Sequence, residues 1–552
     1  MTAPSDTGPT VGRASVWLAS GTIISRVLGF ASAALLASVV GQKGAGPNAF
    51  ALANQLPSYI YAIVAGGLLS AVLVPHIVRA AKDADGGQGF VNRLVTLGIV
   101  AFLGVTVAAT LGAPWVVGLY SIGSSSGALP DGGFQLAVTM AYWCLPQIFF
   151  YAVYSLVGEV LNARGIFGPF AWASVLNNVV MIATLIAFAM IYGVAPDHFS
   201  ANSWDLPQIA LLSGGATLGV VLQAILLILF WPRTGLRFRP DFRWRGAGLG
   251  APARASGWIF GLVLVVQATN IVQFNVALQA NESDVSAAVL RTTWLIFMLS
   301  HSIVAISIAT PYFTRMSAHA RDGDIGALRR DLSASLRGIA MLVTGCGTAI
   351  AAAALPFAAF FSTSRSLTEA IAAVLLAFLV GLVPFSSLFV VQRAFYALGD
   401  TRTPFVLQVV QAVLFIAATL GILFALKLDA AVSPYVAAGI ALATSLSVIV
   451  QAILAALLLR RRLGGGGRGL VKRFGIYALA ALPAAAAGIG VLALLGGFAP
   501  DGFATAGKVE GLVSTAIVGS TVLIVHLGLL ALSRAPELAG LAGILKRFTP
   551  RR

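Results

Sequence analysis

Apolar residues in this chain gather into long runs separated by short polar stretches. They show neither the alternation of a half-buried strand nor the narrow stripe of a surface helix. Fourteen runs are long enough to cross a bilayer as helices, roughly 14–40, 49–78, 94–120, 134–161, 169–193, 207–231, 254–279, 286–312, 335–361, 367–398, 404–427, 432–459, 474–496 and 509–532. The pattern therefore predicts an all-α polytopic membrane protein.

Basic residues set the expected orientation, because cytoplasmic loops hold the excess of lysine and arginine. With the amino terminus in the cytoplasm, the inner loops carry the run Arg233, Arg237, Arg239, Arg243 and Arg245. They also carry Arg315, Arg321, Arg329 and Arg330, and the cluster Arg460, Arg461, Arg462, Arg468, Lys472 and Arg473. The outer loops hold only Lys43, Arg365, Lys427 and Lys508. Both termini are thus expected on the cytoplasmic side of the membrane.

Two echoes in the chain point to an internal repeat. Val74-Pro75-His76-Ile77-Val78-Arg79 after span two resembles Thr310-Pro311-Tyr312-Phe313-Thr314-Arg315 after span eight, each with an acidic-glycine turn following. Asn162-Ala163-Arg164-Gly165 through Pro169 after span four resembles Leu398-Gly399-Asp400-Thr401-Arg402-Thr403-Pro404 after span ten. An offset of six spans keeps the orientation, so two six-helix lobes are expected, related by a pseudo-two-fold along the membrane normal. The expected organisation is a cytoplasmic tail (1–13), a first lobe of helices 1–6 (14–231), a basic linker (232–253) and a second lobe of helices 7–12 (254–459). A basic Gly-rich linker (460–473), two C-terminal helices (474–532) and a basic cytoplasmic tail (533–552) complete it.

Composition agrees, with 58% hydrophobic and only 10% charged residues and a mean hydropathy of +0.92. The net charge of +16 would suggest nucleic acid in a soluble chain. Here the cations sit where topology requires them, so anionic inner-leaflet lipids are the expected contact and nucleic acid is not. The polar first residues lack a cleavage site after a short apolar core, which argues against a removable leader. The glycines at 464–467 lack the strand and the Lys-Ser/Thr of a phosphate loop. Cys144 and Cys346 lie in apolar runs without ligand spacing, so no metal, cofactor or catalytic group is expected.

The candidate chemistry begins with Arg26, which lies about 18 Å into the first span, near the bilayer centre. A guanidinium at that depth must face a polar interior or tie helices together. Gln267, Asn270 and Gln273 share one face of span seven at spacing three, either to bind a head group or to hold helices together. Asn54 and Gln55 precede Pro57 in span two, and Gly66 and Gly67 follow. Pro57, Gly66, Gly67 and, in span one, Gly29 are candidate hinges. Arg291 opens span eight near the outer face, within snorkelling reach of the interface. Glu159, the one carboxylate placed inside a span, is positioned to pair with Arg164. His301 lies deep in a span, and packing through a hydrogen bond is favoured there over a proton relay. A cationic interior almost without carboxylates favours an anionic ligand, and guanidinium suits phosphate.

Arg26, Gly29, Pro57, Gly67 and Arg164 lie in stretches that resemble the MurJ (MviN) lipid II flippases of the multidrug/oligosaccharidyl-lipid/polysaccharide exporter superfamily. The stretches are Ser25-Arg26-Val27-Leu28-Gly29-Phe30; Leu56-Pro57 with Gly67 through Val74-Pro75; Leu161-Asn162-Ala163-Arg164-Gly165 with Leu176-Asn177-Asn178-Val179-Val180; and Arg393-Ala394-Phe395-Tyr396 through Pro404. The resemblance implies a transporter, not an enzyme, that carries an undecaprenyl-diphosphate-linked sugar–peptide to the outer leaflet by alternating access. It implies a role in peptidoglycan synthesis, with cell-wall synthesis proteins as partners. Substrate contacts are expected at Arg26, Asn54, Gln267, Asn270 and Arg291, with Arg26 at the diphosphate, and the last two helices are expected to hold the lipid tail. The chain departs from many relatives at Ser32-Ala33, Asn48 and Tyr61-Ala62, where charged residues are usual, and Arg291 falls one residue before the family arginine. Alternative readings are a flippase for another polyprenyl-linked saccharide, a multidrug exporter, or a membrane-embedded glycosyltransferase or polymerase. The last needs clustered carboxylates at the membrane face, and Asp131, Asp197, Asp205, Glu282 and Asp284 are dispersed. The lack of intramembrane carboxylates points to membrane potential or a proton, and not sodium, as the drive.

Overall fold

The computed structural model describes residues 9–68, 85–122, 129, 132–166, 168–195, 197–243, 253–279, 287–362, 364–428, 435–465, 468–499, 502–533, 535 and 537–538. The first copy of the proline–arginine echo, residues 74–84, lies outside them, as do Asp131, Glu282, Asp284 and most of both tails. The described residues form helices and connecting turns without a strand.

Packing divides the chain into two compact units, Met1–Ala288 and Val289–Arg552. The first holds α1 (Pro9–Val39), α2 (Ala45–Leu68), α3 (Gln88–Leu111), α4 (Ala113–Tyr120), α5 (Gly133–Cys144), α6 (Gln147–Ala163), α7 (Gly168–Tyr192), α8 (Leu206–Leu229) and α9 (Ala253–Ala277). The second begins within α10 (Ala287–His301) and continues through a π-turn (Ser302–Ile306), α11 (Ser307–Arg321), α12 (Ile325–Ala352) and α13 (Ala354–Ala359). It ends with α14 (Arg365–Leu379), α15 (Leu382–Ala397), α16 (Arg402–Leu428), α17 (Val436–Arg462), α18 (Arg468–Leu494) and α19 (Lys508–Leu532). Each expected span coincides with one helix or two consecutive ones. Among the described residues, 12 helices are long and apolar enough to cross a membrane. The apolar stretch Ile24–Val39 and the helix α2 occupy the first two positions.

Four spans are broken, and prolines explain where. Pro114 opens α4 after Gly112, and Pro146 separates α5 from α6. Pro356 lies in α13, just past the break at Ala353, and Pro384 lies in the first turn of α15, just past Gly381. A proline removes an amide donor and crowds the preceding turn, which frees carbonyls that cannot go unpaired in hydrocarbon. At the break in span four, Thr217 Oγ1 of α8 donates to Trp143 O at 2.7 Å. At the break in span ten, Ser445 Oγ of α17 lies 2.7 Å from Ala377 O and 3.1 Å from Phe378 O. Span six thus serves span four as span twelve serves span ten, which is the offset of six seen in the sequence.

The turns after spans four and ten match as well. Gly165 N bonds Asn162 O and Ile166 N bonds Leu161 O, while Gly399 N bonds Tyr396 O and Asp400 N bonds Phe395 O. Both glycines are left-handed, at φ 77° and 74°, the Schellman closure for which glycine carries no penalty.

Small residues set the close approaches. Gly21, Ser25 and Gly29 line the face of α1 against α7, where a Cβ on Gly21 would come within 3.0 Å of Ala171 Cβ. In the second unit α18 and α19 dock on α12 through Ala349, Ala352, Ala484, Val518 and Val522. The two C-terminal helices are therefore built into that unit's core. α9 packs against α2 and α4 in the first unit.

Candidate functional site

Arg26 stands on α1 about 20 Å from the Val39 end at 1.5 Å per residue. Its neighbour Ser25 is held from the other side, where Asn178 Nδ2 of α7 donates to Ser25 O at 3.1 Å and Ser25 Oγ at 3.2 Å. That contact turns the small-residue face of α1 inward and leaves Arg26 one step around the helix, exposed. Among the described residues Arg26 has no hydrogen bond and no ion pair. Among the described residues the guanidinium thus ties no helices together, and its donors can take an external anion.

The amides divide between two tasks. Asn270 Nδ2 donates to Gln267 Oε1 at 3.0 Å, so this pair on α9 is pre-set, with Gln267 Nε2 and Asn270 Oδ1 uncommitted. Asn275 Nδ2 bonds Leu119 O at 2.9 Å and Gln279 Nε2 bonds Ile122 O at 3.2 Å, which fastens the end of α9 to the end of α4. Beside them Phe274 meets Tyr59 and Tyr120 edge-on, each at 6.2 Å. Asn54 on α2 accepts from Gln147 Nε2 at 3.4 Å. Fully buried Gln147 also donates to Thr217 Oγ1 at 3.0 Å and accepts from Tyr151 OH at 3.3 Å. Asn54 thus borders a polar knot at the break in span four.

The hinge candidates take different places. Pro57, Gly66 and Gly67 all lie inside the single helix α2, and Gly29 faces Asn178 across the α1–α7 contact. Arg291 belongs to the second unit and is half-buried in the first turns of α10. His301 at the end of that helix pairs with Ser386 Oγ through Nδ1 at 3.0 Å and meets Phe385 and Phe389 edge-on. The π-turn follows at once, an irregularity frequent at functional positions.

The Glu159–Arg164 pair expected from the sequence does not form. Arg164 Nη2 instead donates to Gly86 O, and Glu159 has no ion pair among the described residues. The reason is local, because the Schellman turn carries Arg164 out at the helix end and toward the loop that precedes α3.

Sequence reasoning passes over Gln147, Thr217 and a chain of amides in the second unit. There Gln451 Nε2 donates to Gln408 Oε1 at 3.1 Å, Gln408 Nε2 to Gln411 Oε1 at 2.8 Å, and Gln411 Nε2 to Ser447 Oγ at 2.9 Å. Arg393 in span ten reads from the sequence only as part of a family-like stretch, with no role of its own. The signal was present in each case as a polar residue inside an apolar run.

The family description "Lipid II flippase MurJ" matches residues 36–504. The chain belongs to that family. It is 27% identical over 408 residues to the probable lipid II flippase MurJ of Haemophilus influenzae, covering 69% of this chain and 75% of that protein. It is 25% identical over 404 residues to the lipid II flippase MurJ of Burkholderia cenocepacia, with 71% and 74% covered. In fold it is similar to a lipid II flippase MurJ in an inward closed conformation, with a TM-score of 0.68, 18% identity, and 92% of this chain and 98% of the other covered. A multidrug resistance MATE family transporter of the MOP superfamily follows at a TM-score of 0.61 and 16% identity, with 82% and 98% covered. The protein is thus a multi-pass membrane transporter and not an enzyme.

Proposed function

We propose that this chain moves lipid II from the inner to the outer leaflet of the cytoplasmic membrane by alternating access, with both termini in the cytoplasm. The observation that carries the mechanism is Arg26, an exposed guanidinium at mid-depth without a partner among the described residues. Facing hydrocarbon it would cost several kcal/mol, about 2.5–3.5 on insertion scales, so it faces a wet passage and waits for an anion. The diphosphate of lipid II supplies paired oxygens that match the guanidinium fork. Gln267 Nε2, Asn270 Oδ1 and the Asn54 amide offer neutral hydrogen bonds suited to sugar and peptide groups. Bending at Gly29, Pro57, Gly66 and Gly67 accompanies opening and closing. Anionic lipids meet the exposed arginines at the end of α17, and cell-wall synthesis proteins receive the delivered precursor.

Expression in a strain depleted of its own lipid II flippase tests this reading. The wild-type chain should restore growth and outer-leaflet labelling of lipid II, and Arg26→Ala at equal membrane abundance should restore neither. A wild-type chain that reaches the membrane and fails to complement removes the proposed substrate. An Arg26→Ala variant with normal growth and labelling removes the proposed role of Arg26.

A further inference from the structure

Arg393 is a second cation inside a span that has no ion pair among the described residues, and its setting is unlike that of Arg26. It lies on α15 four residues before the end at Ala397, about 6 Å along the axis. That is the end of the second unit at which Asp400 meets Arg462 of the Arg460, Arg461, Arg462 run. Phe389, one turn earlier on the same helix, lies 4.4 Å from the guanidinium carbon, and Phe313 of α11 lies 5.0 Å away. Two rings attract the cation through their faces and hold its plane.

The carboxylates of this region are already engaged. Asp331 takes Arg315 at 2.6 Å and His319 at 3.3 Å, Asp400 takes Arg462, and Glu537 takes Arg337 at 3.0 Å. Arg393 has no ion pair or hydrogen bond among the described residues, and its Nε is buried without a partner. The two Nη groups are not enclosed in this way. The donors that remain are the in-plane outer edge of a ring-held guanidinium, a shape that accepts two oxygens of one phosphate.

We propose that Arg393 is a binding group for lipid-borne phosphate at this end of the second unit, and that its ligand is the diphosphate of the transported polyprenyl lipid. The assignment rests on the transport reading above. Its depth, one turn inside the helix end, suits a headgroup phosphate at the interface and not a passenger at the bilayer centre. A diphosphate concentrates more charge than a phospholipid headgroup at one point, so it gains more from a single fixed guanidinium.

The full-length protein in phosphatidylcholine nanodiscs provides the test. Binding of undecaprenyl diphosphate and, separately, of phosphatidylglycerol is measured for wild type, Arg393→Gln, Arg393→Lys and Phe389→Leu, with thermal unfolding of each variant in parallel. Arg393→Gln should weaken undecaprenyl diphosphate binding about tenfold or more, the loss of a charge-assisted contact. Arg393→Lys should recover little, because an ammonium is a point charge without the fork. Phe389→Leu should weaken binding less, and phosphatidylglycerol should change little throughout. Unchanged undecaprenyl diphosphate binding in Arg393→Gln overturns the proposal, as does full recovery with lysine. An equal loss for phosphatidylglycerol makes the site one for bulk lipid, and a loss that tracks unfolding in both Arg393 variants makes it a packing contact. Wild-type protein that binds no undecaprenyl diphosphate refutes the transport reading itself, whereas wild-type binding with an indifferent Arg393→Gln refutes only this inference.

Discussion

The turn after span ten offers the sharpest test of how the second unit is held, because its contacts lie in water, where their magnitudes are known. Asp400 Oδ1 accepts from Thr403 N at 2.9 Å and Oδ2 accepts from the Thr403 hydroxyl at 2.7 Å, which anchors the first turn of α16. Arg462, from the last turn of α17, closes on the same carboxylate. The capping contact is worth about 1 kcal/mol. The ion pair joins a carboxylate with 10% of its side chain exposed to an arginine with 47% exposed, so screening keeps it at about 0.5–1 kcal/mol. Asp400→Ala should therefore cost about 2 kcal/mol. Asp400→Asn keeps an oxygen for Thr403 and should cost about half of that. Arg462→Gln should cost about 0.5–1 kcal/mol, and nearly nothing more once Asp400→Asn is present.

The acid side gives an independent sign. Burial alone would push the Asp400 carboxyl up, but the Thr403 amide and hydroxyl and the Arg462 guanidinium outweigh it and hold it below the usual carboxylate range. A group whose folded value is depressed stabilises fully above its unfolded value, about 3.9 for aspartate, and loses that contribution as pH falls through the folded value. The cost of Asp400→Asn should then be flat from about pH 5 to 8 and shrink under stronger acid. Denaturant unfolding in mixed micelles, followed by tryptophan fluorescence across the four-variant cycle, measures both quantities. A coupling below about 0.2 kcal/mol, or one that grows as pH falls, refutes the assignment.

Two further predictions concern the helix breaks. Ser445→Ala should cost about 1–2 kcal/mol by leaving Ala377 O without its donor. Gly381→Ala should be comparably harmful, since the new Cβ would lie 2.9 Å from Ser445 Cα; thermal unfolding in detergent reads both, and wild-type values would show that the break needs no closure. Gln147→Leu keeps volume but removes the contacts to Asn54, Thr217 and Tyr151, for an expected loss of about 1–2 kcal/mol. Gln147→Glu should be worse, because it buries a charge where no cation stands among the described partners; the order of the two melting temperatures decides the point.

Much of the fold was legible because the bilayer simplifies the code. A run of apolar residues can cross hydrocarbon only as a helix, and each expected span has its helix. The breaks were marked by Pro146 and Pro384, but a proline in a long apolar run does not say whether its helix parts. Pro57 proves the point, since α2 continues through it from Ala45 to Leu68. The amides were legible as polar residues that need partners, and their partners were not. Gln267 with Asn270 follows from spacing three on one helix, whereas Asn54 with Gln147 spans 93 residues of chain. Arg26 stood out by its depth and Arg393 did not, because one turn from a helix end a guanidinium reads as one that snorkels to the interface.

Thr217 and Ser445 carry the argument furthest from composition. Hydroxyls in apolar helices ordinarily bond back to their own chain, as Thr106 does to Phe102 O at 2.7 Å and Thr419 to Phe415 O at 2.6 Å. These two cross to another helix instead, and each does so where a proline-marked break has freed a carbonyl. At these two breaks a freed carbonyl without a donor would cost more than a kcal/mol in hydrocarbon, so in spans four and ten proline and hydroxyl work as a pair. Finding the pair in spans four and six, and again in spans ten and twelve, means that each unit fixes one of its kinks in the same way. A kink closed by a side chain is a fixed joint, which leaves bending to helices without such a closure. Among the candidates, α2 with Pro57, Gly66 and Gly67 is that helix, and it is also the one that carries Asn54 and packs against the Gln267–Asn270 helix.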